Sequence, residues 1–358
     1  SNMGVVALIQ AMKGIYYNEG APLRFYCADT IDDQNTGELF ALIERELSAD
    51  GVVVLCIATK SGTTTETLLN GSLFYESLKR HRPKDYQEYI VIITDEDSPL
   101  CAIAKNNRFE LLLIPSSVGG RYSLFSSVGL FPLMMMGIDI GSLLKGAQRM
   151  FERCMNEEST HNPAALSALT LFDAYQKGYT IYDTFVFSPS LALLGQWYKQ
   201  LIGESLGKKY SREGTLVERG IGPTVSIGTV DLHSVVQLYL AGPRTRITTF
   251  LYTEDERNSL TVPDNLLSIV VPGLANRTVT FVKSAIFKGV LAAYEKEQRP
   301  YMLSSIKFAS TESVGEFAMM KMIEIIFLAR LFSINAFDQP AVELYKEETR
   351  RFMQLSDR

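Results

Sequence analysis

Between Gly51 and Lys79 the chain runs a strand pattern, a hydroxyl-rich turn and a helix pattern in direct succession. Gly51 to Ala58 is strand-like, with a continuous apolar run from Val52, the pattern of a strand buried on both faces in a parallel sheet. Leu68 to Lys79 has helical spacing. The turn between them reads Thr59-Lys60-Ser61-Gly62-Thr63-Thr64-Thr65-Glu66-Thr67. A strand, a small-residue turn and a helix start together present free N–H groups and the positive end of the helix dipole to an anion. Hydroxyls at Ser61, Thr63, Thr64 and Thr67 add donors, and Lys60 adds charge. An ordinary Ser/Thr cap needs one such residue. Five of them plus Gly62 over residues 60–67 exceed that need and point to phosphate. The nucleotide P-loop pattern is absent.

The first half of the chain alternates in the same style. Helix is predicted at 3–16 and 36–47, strand at 24–28 and 52–58, then strand at 89–94, a short helix at 100–105 and strand at 110–115. Alternating buried strands and helices imply a parallel, doubly wound sheet. Residues 141–177 read as a helical bridge. Strand resumes at 180–187, helix follows at 191–206, and further strands are predicted at 245–252 and 267–271. The end is helical at 279–297, 313–334 and 339–354. The halves share one style, so a pseudo-duplicated architecture fits.

At 358 residues there is room for two domains, each with a core. A net charge of −5 with dispersed Lys and Arg argues against nucleic acid. Cys27, Cys56, Cys101 and Cys154 lie far apart and read as buried thiols of a reducing compartment. The three histidines, His81, His161 and His233, form no cluster with ligand spacing, so no metal is expected. The longest apolar stretch, 128–138, is too short to span a bilayer, and the cytoplasm is the default location.

Four other segments carry chemistry. Gly119-Gly120-Arg121-Tyr122-Ser123 lets backbone approach a ligand beside a fixed cation; a Gly turn with a surface Arg is the competing reading. Gln200 and Glu204 share a helical face, and Glu204, near Gly203 and Gly207, is a candidate base; a solvated helix-terminal Glu competes. Asp231-Leu232-His233-Ser234 opens a helix-like run with a residue suited to proton transfer; a capping Asp beside an idle His competes. Phe337-Asp338-Gln339 leads into a last helix on which Gln339 and Lys346 lie two turns apart; a surface Glu–Lys pair competes.

In this order these segments resemble one family, phosphoglucose isomerase, also called glucose-6-phosphate isomerase. The resemblance runs from Ser1 to Lys346. It implies two sugar-isomerase (SIS) domains, each a flavodoxin-like three-layer α/β/α sandwich with a parallel sheet: residues 1–145, then a helical bridge over 146–178, then 179–358 with C-terminal helices. It implies a homodimer with the active site at the subunit interface, a hexose 6-phosphate substrate and no cofactor. Residue by residue, it implies that Ser61, Thr64 and Thr67 bind phosphate, with Thr59 and Lys60 alongside and Ser1 joining them. His233 and Lys346 would open the sugar ring. Glu204 would move a proton between C1 and C2, Arg121, with Gly120 beside it, would stabilise the enediolate, and Gln200 and Gln339 would hold hydroxyls. Ala341 stands where the family has Gly. The family also carries residues before this point, ending in a strand and a Gly-rich turn. A polypeptide starting at Ser1 is expected to lack a central strand, and so to be a fragment or altered in stability and activity. A non-catalytic or truncated SIS module that binds sugar phosphates, and a dual phosphoglucose/phosphomannose isomerase, are the rival readings.

Overall fold

The computed structural model describes residues 2–254, 259–307 and 310–355. It divides into two compact units, one of residues 2–9 and 16–140, the other of residues 10–15 and 141–355. Both are mixed α/β with parallel sheets.

Along the chain come α1 (Met3–Lys13), α2 (Asp33–Ser48), β1 (Leu55–Ala58), α3 (Thr65–His81), β2 (Ile90–Thr94), α4 (Pro99–Asn107), β3 (Glu110–Leu113) and α5 (Ser127–Met135). The strands of the first unit pair in parallel in the order β1-β2-β3. Every residue of β2 is buried, because both its faces are covered. Ile90 and Ile92 pack toward Ile43, Leu47, Phe74, Leu78, Leu100 and Ala104 of α2, α3 and α4. Val91 and Ile93 turn to Ile114 and to Val128 of α5. The alternation of one strand's side chains thus sets three layers. Caps fix the helix starts: Asp32 accepts the Asn35 N–H at 2.8 Å and Ser98 accepts that of Cys101 at 3.1 Å.

The second unit adds α6 (Ile140–Cys154), α7 (Pro163–Gln176), β4 (Ile181–Val186), α8 (Ala192–Leu206), β5 (Lys208–Tyr210), β6 (Leu216–Arg219), β7 (Gly222–Ile227), α9 (Val236–Ala241), β8 (Arg246–Thr253), α10 (Val279–Lys296), β9 (Tyr301–Ile306), α11 (Thr311–Leu331) and α12 (Pro340–Leu355). Its main sheet is parallel in the order β7-β4-β8-β9, the flavodoxin-like arrangement; β5 and β6 form a separate antiparallel pair. Phe185, Phe187 and Phe250 meet Tyr239 of α9 and Phe287 and Tyr294 of α10 on one face. On the other, Tyr182 stacks edge-on against Tyr198 of α8. A Cβ on Gly195 would lie 3.0 Å from Val225 and 3.1 Å from Val186, so glycine lets α8 sit close on the sheet. Residues 141–177 pack on α11 through Met150, Cys154 and Ala164 against Met319, Ile323 and Phe327.

Several expectations need correction. Residues 24–28 form no strand and pair with none among the described residues. Instead the Asn18 amide brackets Phe25, accepting its N–H at 2.8 Å and donating to its carbonyl at 2.9 Å. Residues 267–271 contain a 3-10 turn, Ser268–Val270, not a strand. The strand predicted from Val52 begins at Leu55. Val52, ahead of the strand, is 66% exposed, and on β1, the outer strand of its sheet among the described residues, Cys56 is exposed rather than buried. Cys27 is half-buried.

Candidate functional site

In the first unit the site is the turn from β1 into α3. Thr59 continues the β1 ladder through its N–H to the Ile93 carbonyl, 3.0 Å. Gly62 then turns the chain at φ +67°, where a Cβ would lie 2.9 Å from Ser98 Cβ and 3.0 Å from the Leu100 nitrogen. Only glycine fits both the conformation and the space. Thr94 fixes the turn from below, donating to the Thr59 carbonyl at 2.7 Å and sharing a 2.6 Å hydrogen bond with Ser98. Thr64 occupies the N-cap position of α3 but makes no capping hydrogen bond. Its hydroxyl lies 2.7 Å from that of Thr59. Thr64 therefore does not act as an ordinary cap, and the first-turn N–H groups of α3 receive no side-chain cap from it. Lys60 Nζ donates to the Ser116 carbonyl at 2.6 Å.

A 3-10 turn, Gly120–Phe125, follows β3. Thr59, Lys60, Gly120 and Ser123 line one small cleft, so the structure brings these two sequence-predicted segments together. Arg121 is only 2% exposed, with its guanidinium 5.4 Å from the Tyr122 ring. It is not the surface Arg of the competing reading. Ser1 lies outside the described residues.

In the second unit α8 buries Trp197, Tyr198, Leu201, Ile202 and Ser205. That leaves Gln200 and Glu204 half-exposed on its flank. Gln200 Nε2 donates to Glu204 Oε1 at 2.9 Å, which orients the carboxylate. Lys208, missed as a site residue, ties this helix to the segment before α12. Its side chain is 5% exposed, and its Nζ donates to the carbonyls of Glu204 at 2.7 Å and Asp338 at 2.6 Å, with Asp338 Oδ1 at 3.2 Å. The signal was available: a Lys just past a helix end suits its orphan carbonyls and negative dipole. Gln339 follows directly. Lys346 pairs with Glu343 at 2.8 Å, as the competing reading foresaw, and its ammonium holds the Glu343 carboxyl below the usual carboxylate range. His233 ends a 3-10 turn after β7, exposed and without a hydrogen bond to any described residue. Asp231 accepts the Ile227 N–H at 2.7 Å and the Ser234 hydroxyl at 2.6 Å, which fixes the backbone on either side of that histidine. Among the described residues no three His, Cys, Asp or Glu side chains gather as metal ligands.

The site thus offers a hydroxyl-rich helix start in one unit and a carboxylate, an amide and an exposed imidazole in the other. The family profile described as phosphoglucose isomerase matches residues 1–356. A glucose-6-phosphate isomerase of Carboxydothermus hydrogenoformans is 34% identical over 98% of this chain and 76% of its own length. That of Methanocaldococcus jannaschii is 31% identical over 97% and 80%. A hypothetical protein from Thermus thermophilus superposes with a TM-score of 0.89 at 29% identity, over 98% of this chain and 81% of that one. A glucose-6-phosphate isomerase from Chlamydia trachomatis shares the fold, with a TM-score of 0.83 at 22% identity over 99% and 68%.

Proposed function

Because this chain belongs to the phosphoglucose isomerase family, we propose that it interconverts glucose 6-phosphate and fructose 6-phosphate as an aldose–ketose isomerase of glycolysis and gluconeogenesis. The turn after β1 holds the 6-phosphate through Ser61, Thr64 and Thr67, with Thr59, Lys60 and Ser1. That remote anchor orients the reacting carbons. His233, assisted by Lys346, protonates the ring oxygen as the ring opens. Glu204 takes the proton from C2 while the C1 carbonyl accepts the electron pair, giving a cis-enediolate. Arg121, beside Gly120, stabilises the negative charge on its oxygens. The hydroxyl proton of O2 passes to O1, Glu204 returns its proton at C1, and the carbonyl forms at C2. Gln200 and Gln339 hold hydroxyls.

One observation carries the catalytic reading over a binding-only one: Glu204 is oriented by Gln200, and its own backbone is anchored by Lys208. A binder of sugar phosphates needs neither. The same reading divides the chain into a first sugar-isomerase domain over residues 1–145, a helical connection over 146–178 and a second domain over 179–358. It also takes the protein as a cytoplasmic homodimer in which His233 serves the partner's site. The exposed imidazole and the exposed apolar side chains of Leu260, Leu266, Leu267, Ile269 and Val270 support an unformed interface.

A coupled assay of fructose 6-phosphate conversion tests the proposal. Turnover is expected, and Glu204→Gln is expected to lower it by about 10²–10⁴-fold with substrate binding retained. Absence of turnover in the unaltered protein rejects the function; full turnover in Glu204→Gln rejects the base.

A further inference from the structure

The second sheet has a binding feature that the isomerase reading leaves unused. In the order β7-β4-β8-β9, the chain moves to one side of β4 to place β7 and then crosses to the other side to place β8. Ligands of open parallel sheets bind outside the carboxyl ends of the strands where the order reverses in this way. Here those ends are Phe187 and Ser188 after β4, and Thr253 and Glu254 at β8. They open onto a crevice of about 340 Å³, the size of a small-molecule site. Its described lining includes none of the residues assigned to isomerisation.

The lining has two chemistries. The floor is apolar: Phe187, Tyr252 and Phe287 form a ring cluster, with centroids 4.7 Å apart for Phe187–Phe287 and 4.8 Å for Tyr252–Phe287. The wall is cationic and hydroxylic: Lys283, Lys288, Thr280 and Ser284 from α10, with Thr253 opposite. Lys283 Nζ donates to Ser188 Oγ at 3.3 Å, and Ser188, itself buried, shares a 2.9 Å hydrogen bond with Thr253. Lys283 is thereby tied to the end of β4 beside the crevice that it lines. Among the described residues of the lining, Glu254 is the one carboxylate against two ammonium groups.

We propose that this crevice binds a small phosphate ester carried on a planar ring, of the aryl or nucleoside phosphate class. The ring stacks on the aromatic floor, and the phosphate meets Lys283, Lys288 and the hydroxyls of α10. Binding there is independent of isomerase activity.

Calorimetric titration of the full chain with phenyl phosphate and with adenosine 5′-monophosphate tests it, and the two probes separate the aryl from the nucleoside source. Two variants act at exposed positions of α10: Lys288→Met removes a cation and Ser284→Trp fills the crevice. Thr64→Val is the control in the first unit's phosphate turn. At least one probe is expected to bind saturably, to weaken by about tenfold or more in both α10 variants, and to keep its affinity within about twofold in Thr64→Val. Near-ultraviolet circular dichroism verifies that each variant is folded. Should one α10 variant not fold, the other decides. No saturable binding of either probe up to about 10 mM overturns the proposal. So does binding that Thr64→Val abolishes and a folded α10 variant leaves intact.

Discussion

Asp183 is a carboxylate at the centre of a parallel sheet, 0% exposed. Its Oδ1 accepts from Thr224 and, at 3.1 Å, from Ser226, and Arg246 stands 3.8 Å away. Its Oδ2 has no hydrogen-bond partner among the described residues. Burial pushes this carboxyl up from its ordinary value of 3.8, while the Thr224 hydrogen bond and the Arg246 charge pull it partly back. The unfolded chain therefore releases the proton near pH 3.8 and the folded chain releases it later. Between those two values the folded state binds more protons, so this group's contribution to stability falls as pH rises. Asp183→Asn removes that slope. Thermal melts of variant and parent are expected to differ by a constant below pH 3.8 and to move in the variant's favour above it. A difference independent of pH would refute the assignment. Nothing in the sequence marks Asp183, because its environment is built from β7 and β8, far along the chain. The Thr-rich turn is legible for the opposite reason. All its chemistry lies within nine consecutive residues, Thr59 to Thr67.

At the level of elements, burial decides what can be read. Strands β2 and β4 stand out because both faces are covered and most of their residues are apolar, Asp183 and Thr184 of β4 being the polar interruption. By contrast, β7 is an outer strand with Gly222, Pro223 and two hydroxyl residues, and β9 is half-exposed with two serines. Neither announces itself, and both were missed. The run at 267–271 misleads because its apolar residues face solvent without a ladder partner. Lys208 shows what a local motif hides. In sequence it only follows Gly203-Glu204-Ser205-Leu206-Gly207, but its contact with residue 338 spans the second unit. Lys208→Met is expected to lower kcat by about 10–100-fold with a smaller change in KM, because it frees the Glu204 backbone without removing a substrate contact. Steady-state kinetics of folded variant protein checks this. A pure KM effect would assign Lys208 to binding instead.

Across the whole molecule, the second unit is pinned by a buried ion pair. Lys321 Nζ donates to Glu324 Oε2 at 2.7 Å inside α11, and Tyr198 of α8 donates to the same carboxylate. Lys321 also lies 4.5 Å over the Tyr198 ring. Removing one partner strands a buried charge, which costs about 3–5 kcal/mol, while replacing both by apolar residues of similar volume is close to neutral. Glu324→Leu is expected to lose about that much stability, and Lys321→Met with Glu324→Leu to recover most of it. Urea denaturation measures the loss. Hydrogen exchange is expected to speed up in β4 and β8 and to stay unchanged in β2; equal effects in both sheets would contradict a local origin.

The strand order of the second sheet also has a meaning in time. β4 is the first of its four strands to be synthesised, yet it ends up flanked on both sides, by β7 and β8. Translation at about 5–20 residues per second leaves roughly 2–8 s before β7 emerges, and a further one to several seconds before β8. Until β7 emerges this largely buried strand has neither edge paired, and until β8 emerges it has only one. The described strands of the first sheet, which end at Leu113, have all been synthesised by then. The vulnerable window for aggregation and for chaperone capture therefore opens with β4 and closes with β8, midway through the chain rather than at its end.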